Sequence, residues 1–134
     1  MSQENVDLAR DALDAVVQGD HDAASRRFHP DALWHNTREF PGPSRCVGPA
    51  EIIHFWTALL EPFDARAPRW TIERTAERDG SVALDVHSMA EGNASGIRLD
   101  VHWAAVFHMR QGKVGRVDVY GDWARACAAV GLEE

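Results

Sequence analysis

Residues 97–109 carry the sequence pattern that most restricts how this chain can fold. Apolar and polar side chains alternate over most of this stretch, which is typical of a long β-strand with one buried face. The apolar side chains are Ile97, Leu99, Val101, Trp103, Ala105, Phe107 and Met109. The side chains on the opposite face are Arg98, Asp100, His102, His108 and Arg110. The chain must therefore cover one apolar face of a sheet.

Further strands are predicted around this one. Residues 81–91 alternate clearly, and residues 70–78 alternate weakly, with Asp79-Gly80 between them as a hairpin turn. A turn is predicted at residues 93–96, and a last strand at residues 113–120. These segments predict consecutive antiparallel strands.

The first half of the chain is predicted to be mainly helical. Residues 2–18 form an amphipathic helix that ends at Gly19, and Asp20 caps a second helix over residues 21–28. A short strand at residues 32–36 and a loop at residues 40–47 precede a third helix, which has Pro49 in its first turn and ends near residue 60. Residues 123–130 form a short helical tail. Helices followed by a run of strands predict one α+β domain over residues 1–134, in which a curled antiparallel sheet forms a cone covered by the N-terminal helices.

Composition excludes several classes of protein. The chain has 134 residues, a net charge of -7, five Trp and five Phe, so it is neither disordered nor suited to bind nucleic acid. Uncharged apolar stretches of about 18 residues, which a membrane span needs, do not occur. Cys46 and Cys127 have no metal-site spacing, and the N-terminus does not look like a signal peptide. A cytoplasmic protein with reduced thiols is predicted.

Three stretches resemble a known family. The segment Gly19-Asp20-His21-Asp22-Ala23-Ala24, followed by Phe28-His29-Pro30-Asp31-Ala32-Leu33-Trp34-His35-Asn36, resembles the opening of nuclear transport factor 2-like domains. Residues 48–52 are similar to the start of their third helix. Residues 107–132, with Gly112-Lys113-Val114 and Tyr120-Gly121-Asp122, resemble the ending of the SnoaL-like polyketide cyclase branch. The resemblance implies the cone fold. It does not select one function, because the superfamily includes isomerases, dehydratases, hydrolases, cyclases and binding proteins.

The resemblance also assigns positions to the family's catalytic groups, and this sequence departs from all of them. The carboxylate of the ketosteroid isomerase type falls on Asn36, and its Tyr donor falls on Ala12. The Asp of the cyclases falls on Val119, and their His falls on Ala105. An amide cannot act as a general base, but Asn36 could donate a hydrogen bond to a carbonyl or enolate oxygen, or be purely structural.

The turn before the last strand, at Gln111-Gly112, determines which side chains of residues 113–120 face the cone. A two-residue turn at Gln111-Gly112 requires positive φ at Gln111, which costs roughly 1 kcal/mol. A three-residue loop avoids that strain and pairs Met109 with Lys113. It places Trp103 opposite Val119 and Ala105 opposite Val117, and we predict this arrangement.

The alternative, a two-residue turn, brings Asp118 and Tyr120 into the cone together with Arg116. Asp118 would then be a general base whose pKa is raised by apolar neighbours. The candidate catalytic residues are therefore Asn36, Asp118 and Tyr120.

The preferred arrangement predicts an apolar pocket for a hydrophobic small molecule, with no cofactor. Its walls are Trp34, Trp56, Leu84, Val86, Trp103, Ala105, Phe107, Val117 and Val119. Its polar groups are Asn36 and Ser88, with Tyr120 near the mouth. A cofactor-independent isomerase, cyclase or hydrolase, a non-catalytic binding protein, and an interaction module with a filled core all remain open.

The histidines predict no metal site. His102 and His108 share a face but lie about 20 Å apart along a strand, too far for one ion. His87 comes opposite either Asp100 or His102. Asp85, His87, Asp100 and His102 are predicted to form a polar cluster on the face away from the helices. The resemblance implies that this face pairs two chains into a homodimer, and a metal or acid–base site is the alternative.

Overall fold

The computed structural model describes residues 3–37, 43–61, 69–92 and 98–131. In chain order, the elements in these ranges are α1 (Gln3–Gln18), α2 (His21–Arg27), β1 (Phe28–His35), β2 (Arg45–Val47), α3 (Pro49–Leu60), β3 (Arg69–Arg78), β4 (Ser81–Glu91), β5 (Arg98–Arg110), β6 (Lys113–Tyr120) and α4 (Trp123–Ala129). The predicted turn at residues 93–96, the first part of the predicted loop at residues 40–42, and Ile97 lie outside the described residues.

The six strands form one curled mixed sheet in the order β2-β1-β6-β5-β4-β3. Neighbouring strands are antiparallel except β1 and β6, which run parallel. The predicted α+β fold class is confirmed, but the sheet is not purely antiparallel. The predicted loop at residues 40–47 is wrong at its end, because Arg45–Val47 forms the edge strand β2 along β1.

The helical segments follow the sequence signals. Gly19 has φ 72°, and the Asp20 side chain accepts a hydrogen bond from the Ala23 backbone N–H at 3.0 Å. Helix α1 buries one apolar stripe, consisting of Ala9, Ala12, Leu13, Ala15 and Val16. Ala12, where the resemblance places a Tyr donor, thus lies in the core and brings no polar group there.

Gly48 sets the position of α3. Its φ is 85° and its ψ is 157°, a combination that is essentially restricted to glycine. A Cβ at this position would lie 2.8 Å from the Pro30 carbonyl oxygen, so the chain passes directly against β1. Pro49 then begins the helix, which buries Ile52, Ile53, Phe55, Trp56 and Leu60.

The hairpin of β4 and β5 defines the two faces of the sheet. Its register pairs Leu84 with Ala105 and Val86 with Trp103, and these side chains lie in the same buried core as the apolar residues of the helices. We call this the inner face. On the opposite side, the outer face, His87 pairs with His102, which settles one of the two alternatives left by the sequence.

The predicted turn between β5 and β6 is wrong. Arg110 pairs with Lys113, and both Gln111 (φ 52°) and Gly112 (φ 79°) are left-handed, so the turn has two residues. The strain at Gln111, about 1 kcal/mol, is accepted because this turn matches the twist of the strands.

A bulge then restores the predicted faces of β6. Met109 pairs with Val114 and His108 with Arg116, which leaves Gly115 as an extra residue. After the bulge, Phe107 pairs with Val117 and Ala105 with Val119, so the predicted pairs of Ala105 with Val117 and Trp103 with Val119 are wrong by two residues. Burying two valines contributes about 3–6 kcal/mol, more than the strained turn costs.

Helix α4 covers part of the outer face. Trp123, Ala126 and Cys127 pack on Ala83, Ala104 and Val106 in a second, smaller core. Asp85 lies at this end of the outer face and accepts a hydrogen bond from Arg74 Nε at 2.7 Å. The guanidinium carbon of Arg74 lies 5.2 Å from the centre of the Trp123 ring. Asp85 is therefore paired with Arg74, whereas His87 and His102 lie further along the sheet.

Candidate functional site

Three tryptophans from three elements meet between the helices and the inner face. Trp34 comes from β1, Trp56 from α3 and Trp103 from β5, and none is more than 4% exposed. The Trp56 ring centre lies 5.8 Å from that of Trp34, with an interplanar angle of 85°, and 5.8 Å from that of Trp103, with an angle of 40°. We call Trp34, Trp56 and Trp103 the tryptophan cluster.

The other predicted wall residues surround this cluster. The structure places Leu84, Val86, Ala105, Phe107, Val117 and Val119 in the same buried core as the three tryptophans. The centre of the Phe107 ring lies 6.2 Å from that of Trp34 in an edge-to-face arrangement. The prediction that these side chains share one face is confirmed. Their role as the wall of a ligand pocket stays a prediction.

The three indole N–H groups of the cluster differ in their hydrogen bonding. Trp34 Nε1 donates to Asn36 Oδ1 at 2.9 Å, and Trp103 Nε1 donates to Ser88 Oγ at 3.0 Å. Trp56 Nε1 is buried and has no hydrogen-bond partner among the described residues. Leaving a buried donor unpaired costs about 1–3 kcal/mol, so Trp56 is the polar anomaly of this core.

Asn36, a candidate catalytic residue, is 4% exposed and held at both ends of its amide. Its Oδ1 accepts from Trp34, and its Nδ2 donates to the Pro43 carbonyl oxygen at 3.1 Å. Because the indole can only donate, these contacts fix which amide atom is oxygen. Asn36 therefore orients Trp34, and one of its two Nδ2 hydrogens is already used.

The structure places Asp118 and Tyr120 on the outer face, because Val117 and Val119 occupy the inner one. The alternative in which Asp118 enters the cone is therefore wrong. Tyr120 packs beside the α4 core and does not lie at a mouth on the inner side. Burial, and then the charge of Asp118, raise the pKa of the Tyr120 hydroxyl.

Asp118 is the centre of a polar group on the outer face. Arg116 Nε lies 3.0 and 3.1 Å from its two carboxylate oxygens, and His108 Nε2 lies 3.2 Å from Oδ2. Ser81 Oγ lies 2.9 Å from His108 Nδ1. Burial raises the pKa of Asp118, but the hydrogen bonds and charges of His108 and Arg116 outweigh it, so the pKa is lowered. This is the opposite of the raised pKa expected inside the cone.

The lowered pKa of Asp118 predicts a stability effect in acid. A carboxylate with a depressed folded pKa stabilises the fold above its unfolded pKa of about 3.9, and this contribution is lost as the pH falls through the folded pKa. We expect Asp118→Asn to lower the free energy of unfolding by about 1–3 kcal/mol at pH 7, and by less at pH 3. Urea unfolding at the two pH values measures this difference.

The control is Asp31→Asn, which removes a carboxylate that is 73% exposed and paired with Arg110 at 3.0 Å. We expect that change to be within about 0.5 kcal/mol of the native chain at both pH values. Equal losses for the two variants would show that the outer-face group contributes no more than a surface pair.

Glu73 is a residue that sequence reasoning missed. It is the extra residue of a bulge in β3, because Ile72 pairs with Val86 whereas Arg74 pairs with Asp85. Its carboxylate oxygens lie 3.4 Å from His102 Nδ1 and 3.9 Å from His87 Nδ1. The weak alternation of residues 70–78 is the sequence signal of this bulge, since an extra residue interrupts the period of two.

No helix in the described ranges is long and apolar enough to cross a membrane.

Comparison with known proteins places the chain among similar folds. One similar structure is that of a protein from Jannaschia sp. CCS1 described as a SnoaL-like polyketide cyclase. It is 16% identical, with a TM-score of 0.74, and the match covers 100% of this chain and 98% of the other. An NTF2-like protein of Burkholderia thailandensis E264 is 16% identical, with a TM-score of 0.73 and coverage of 99% and 100%. TerC, co-crystallised with polyporic acid, is 16% identical, with a TM-score of 0.72 and coverage of 96% and 98%. These identities support the likeness of fold alone.

No match was found among curated protein sequences. The family described as "SnoaL-like domain" matches residues 9–117, which run from the middle of α1 into β6 and include the whole tryptophan cluster. The chain belongs to the SnoaL-like domain family.

Proposed function

We propose that this chain binds a flat, hydrophobic small molecule between its helices and the inner face of its sheet. The ligand carries an oxygen that accepts a hydrogen bond, and it contacts the tryptophan cluster. The observation that carries the proposal is the buried Trp56 Nε1, which lacks a partner among the described residues.

The proposal follows from the cost of that N–H group. In a core that is simply filled, an indole with an unpaired donor carries a desolvation penalty that the apolar ring of phenylalanine avoids. The N–H groups of Trp34 and Trp103 both have partners, so pairing is the rule in this cluster. An oxygen of a bound ligand would accept the hydrogen bond of the Trp56 N–H, so that all three indoles of the cluster would be paired.

Binding is favoured over acid–base catalysis by the residues around the cluster. The buried polar and charged side chains among the described residues are Asn36, Asp85 and Asp118, so no imidazole is buried, and Asn36 is the one that bonds to the tryptophan cluster. The buried carboxylates, Asp85 and Asp118, belong to the outer face. TerC, which shares the fold, was crystallised with polyporic acid, and this supports an aromatic ligand for the present chain.

Cofactor-independent isomerisation, cyclisation or hydration is the second candidate. It is favoured by Asn36, whose Nδ2 carries a second hydrogen besides the one given to Pro43. That hydrogen could stabilise a negative oxygen that develops on a ligand. For any reaction found with a bound ligand, Asn36→Ala should slow turnover. The outer-face variant Asp118→Asn should not.

The binding proposal is tested with two compounds of the same ring skeleton, 1-tetralone and tetralin. Only 1-tetralone has an oxygen that can accept from Trp56. We expect the native chain to prefer 1-tetralone, and Trp56→Phe to weaken its binding by about threefold to tenfold while tetralin binding is retained. Equilibrium dialysis measures both affinities.

Trp123→Phe is the matched control, because Trp123 packs on the outer face under α4. It should leave both affinities unchanged. A Trp56→Phe variant that loses affinity for both compounds equally would contradict a specific hydrogen bond. If neither 1-tetralone nor tetralin bound the native chain, a pocket for ligands of this shape would be contradicted.

Homodimer formation through the outer face remains a proposal that rests on the family resemblance. The one large hydrophobic side chain exposed among the described residues is Val47, at 44%, on the edge strand β2. Val47 pairs with Leu33, on the side of the sheet opposite Trp34, so a dimer through the outer face would combine this edge valine with polar contacts. Light scattering of the purified chain measures its mass in solution.

A further inference from the structure

The outer face carries a group of side chains that neither the core nor the proposed ligand site uses. It consists of His87 on β4, Asp100 and His102 on β5, and Glu73 on β3. Helix α4 packs on other residues of this face, Ala83, Ala104 and Val106. We call Glu73, His87, Asp100 and His102 the histidine cluster.

Register brings these residues together from three strands. His87 and His102 are direct partners, and their rings stack with centres 4.0 Å apart and planes 9° from parallel. The bulge in β3 adds Glu73 beside them. One ligand atom from each of Glu73, His87 and His102 lies within 4.8 Å of the others.

We propose that Glu73, His87 and His102 bind one divalent transition-metal ion, with zinc as the ion that fits best. Two imidazoles and one carboxylate form a donor set that is characteristic of zinc sites with an open fourth position for water. In a tetrahedral site with such bond lengths, neighbouring ligand atoms are about 3.4 Å apart. The observed distances from Glu73 to His102 and His87, 3.4 and 3.9 Å, are close to this value.

Asp100 gives independent support. Its Oδ1 lies 2.7 Å from His87 Nε2, and a carboxylate can only accept, so Nε2 carries the hydrogen. The lone pair of His87 is then on Nδ1, the atom that faces Glu73. A carboxylate that holds one ring nitrogen while the other binds metal is the usual outer-shell arrangement of zinc-bound histidines.

Exposure allows the small movement that binding requires. Because a metal lies in the plane of each imidazole it binds, the two stacked rings must tilt apart. His87 is the anchored member, with a side chain 19% exposed, whereas the side chains of His102 and Glu73 are 61% and 45% exposed. His102 and Glu73 can therefore turn toward an ion held at His87 Nδ1.

The second group of histidines on the outer face does not fit a cation. His108 and His35 also lie near a carboxylate, that of Asp118, at 3.2 and 3.8 Å. The guanidinium of Arg116 contacts both oxygens of that carboxylate. A positive charge already occupies this position, whereas the histidine cluster combines two carboxylates with two imidazoles that can be neutral.

Titration calorimetry of Zn²⁺ into the metal-stripped chain, without an affinity tag, tests the proposal. We expect one ion per chain. His102→Ala and Glu73→Gln should each remove most of the affinity, and Asp100→Asn should weaken it by about 10- to 100-fold through His87. His108→Ala is the matched control and should bind as the native chain does. Circular dichroism checks that each variant is folded.

Cobalt substitution gives a second readout, because tetrahedral Co²⁺ absorbs visible light much more strongly than octahedral Co²⁺. The native chain should give the intense tetrahedral spectrum, and His102→Ala should not. The proposal is overturned if the native chain binds no Zn²⁺, if one ion is shared by two chains, or if His102→Ala binds as tightly as the native chain.

Discussion

Replacing Trp34 with alanine should lower the free energy of unfolding by about 3–5 kcal/mol. The Trp34 side chain is completely buried and contacts Trp56 and Phe107 at ring-centre distances of 5.8 and 6.2 Å. Alanine leaves a cavity between β1 and α3 and also removes the donor that Asn36 Oδ1 accepts from. Urea unfolding followed by circular dichroism measures the loss.

Two variants separate packing from hydrogen bonding. Trp34→Phe keeps a ring but leaves Asn36 Oδ1 without its indole donor, so we expect a loss of about 1–3 kcal/mol. Trp56→Phe removes a donor that has no partner among the described residues and should cost less than Trp34→Phe. If Trp56→Phe proved the more destabilising of the two, the N–H of Trp56 would have to be paired in the ligand-free protein.

Replacing Asn36 with aspartate should make stability depend strongly on pH. The native amide accepts from Trp34 and donates to the Pro43 carbonyl, and it is 4% exposed. An ionised carboxylate cannot donate to Pro43 and would place a buried charge beside that carbonyl oxygen. Its folded pKa should therefore be raised above the usual value of about 3.9, since the protonated form alone can donate.

The sign of the effect follows from this raised pKa. Below the unfolded pKa, the variant is protonated in both states and should be close to the native chain in stability. As the pH rises, the free energy of unfolding of the variant should fall by about 1.4 kcal/mol per pH unit until the folded pKa is reached. The total loss relative to the native chain should be about 2–4 kcal/mol at pH 8. Urea unfolding at pH 4 and pH 8, referred to the native chain, measures the difference.

Asn36→Ala is the control for this experiment, since it removes the amide without adding a titratable group. Its loss relative to the native chain should be the same at both pH values. An Asn36→Asp variant as stable as the native chain at pH 8 would show that the position accepts a charge. The absence of a carboxylate there would then owe nothing to burial.

The elements were largely predictable because their signals are local. Helix α3 occupies Pro49–Leu60, as Gly48 and Pro49 indicate, and β4 and β6 have the predicted bounds. The sharing of one face by Trp103, Ala105 and Phe107 was also predictable, because side-chain direction in a strand depends only on alternation. The pairing of β1 with β6 was not, since parallel pairing joins segments that carry no mutual signal.

The grouping of the predicted wall residues in one core was predictable, but their contacts were not. The predicted wall residues lie together in the core, yet the paired N–H groups of Trp34 and Trp103 and the unpaired one of Trp56 depend on three separate elements. The histidine cluster depends on the bulge at Glu73 and on the register of β4 with β5.

The position of Asp118 separates what sequence and tertiary structure each decide. Sequence alone determined that Val117 and Val119 share one side of β6 and Asp118 the other, because alternation is a property of the chain. Tertiary structure decided where the extra residue lies, at Gly115 and not in the turn. The turn types differ by only about 1 kcal/mol, so local preference could not choose between them. The burial of the two valines against the helices, worth several times that amount, fixes which face of β6 meets the core.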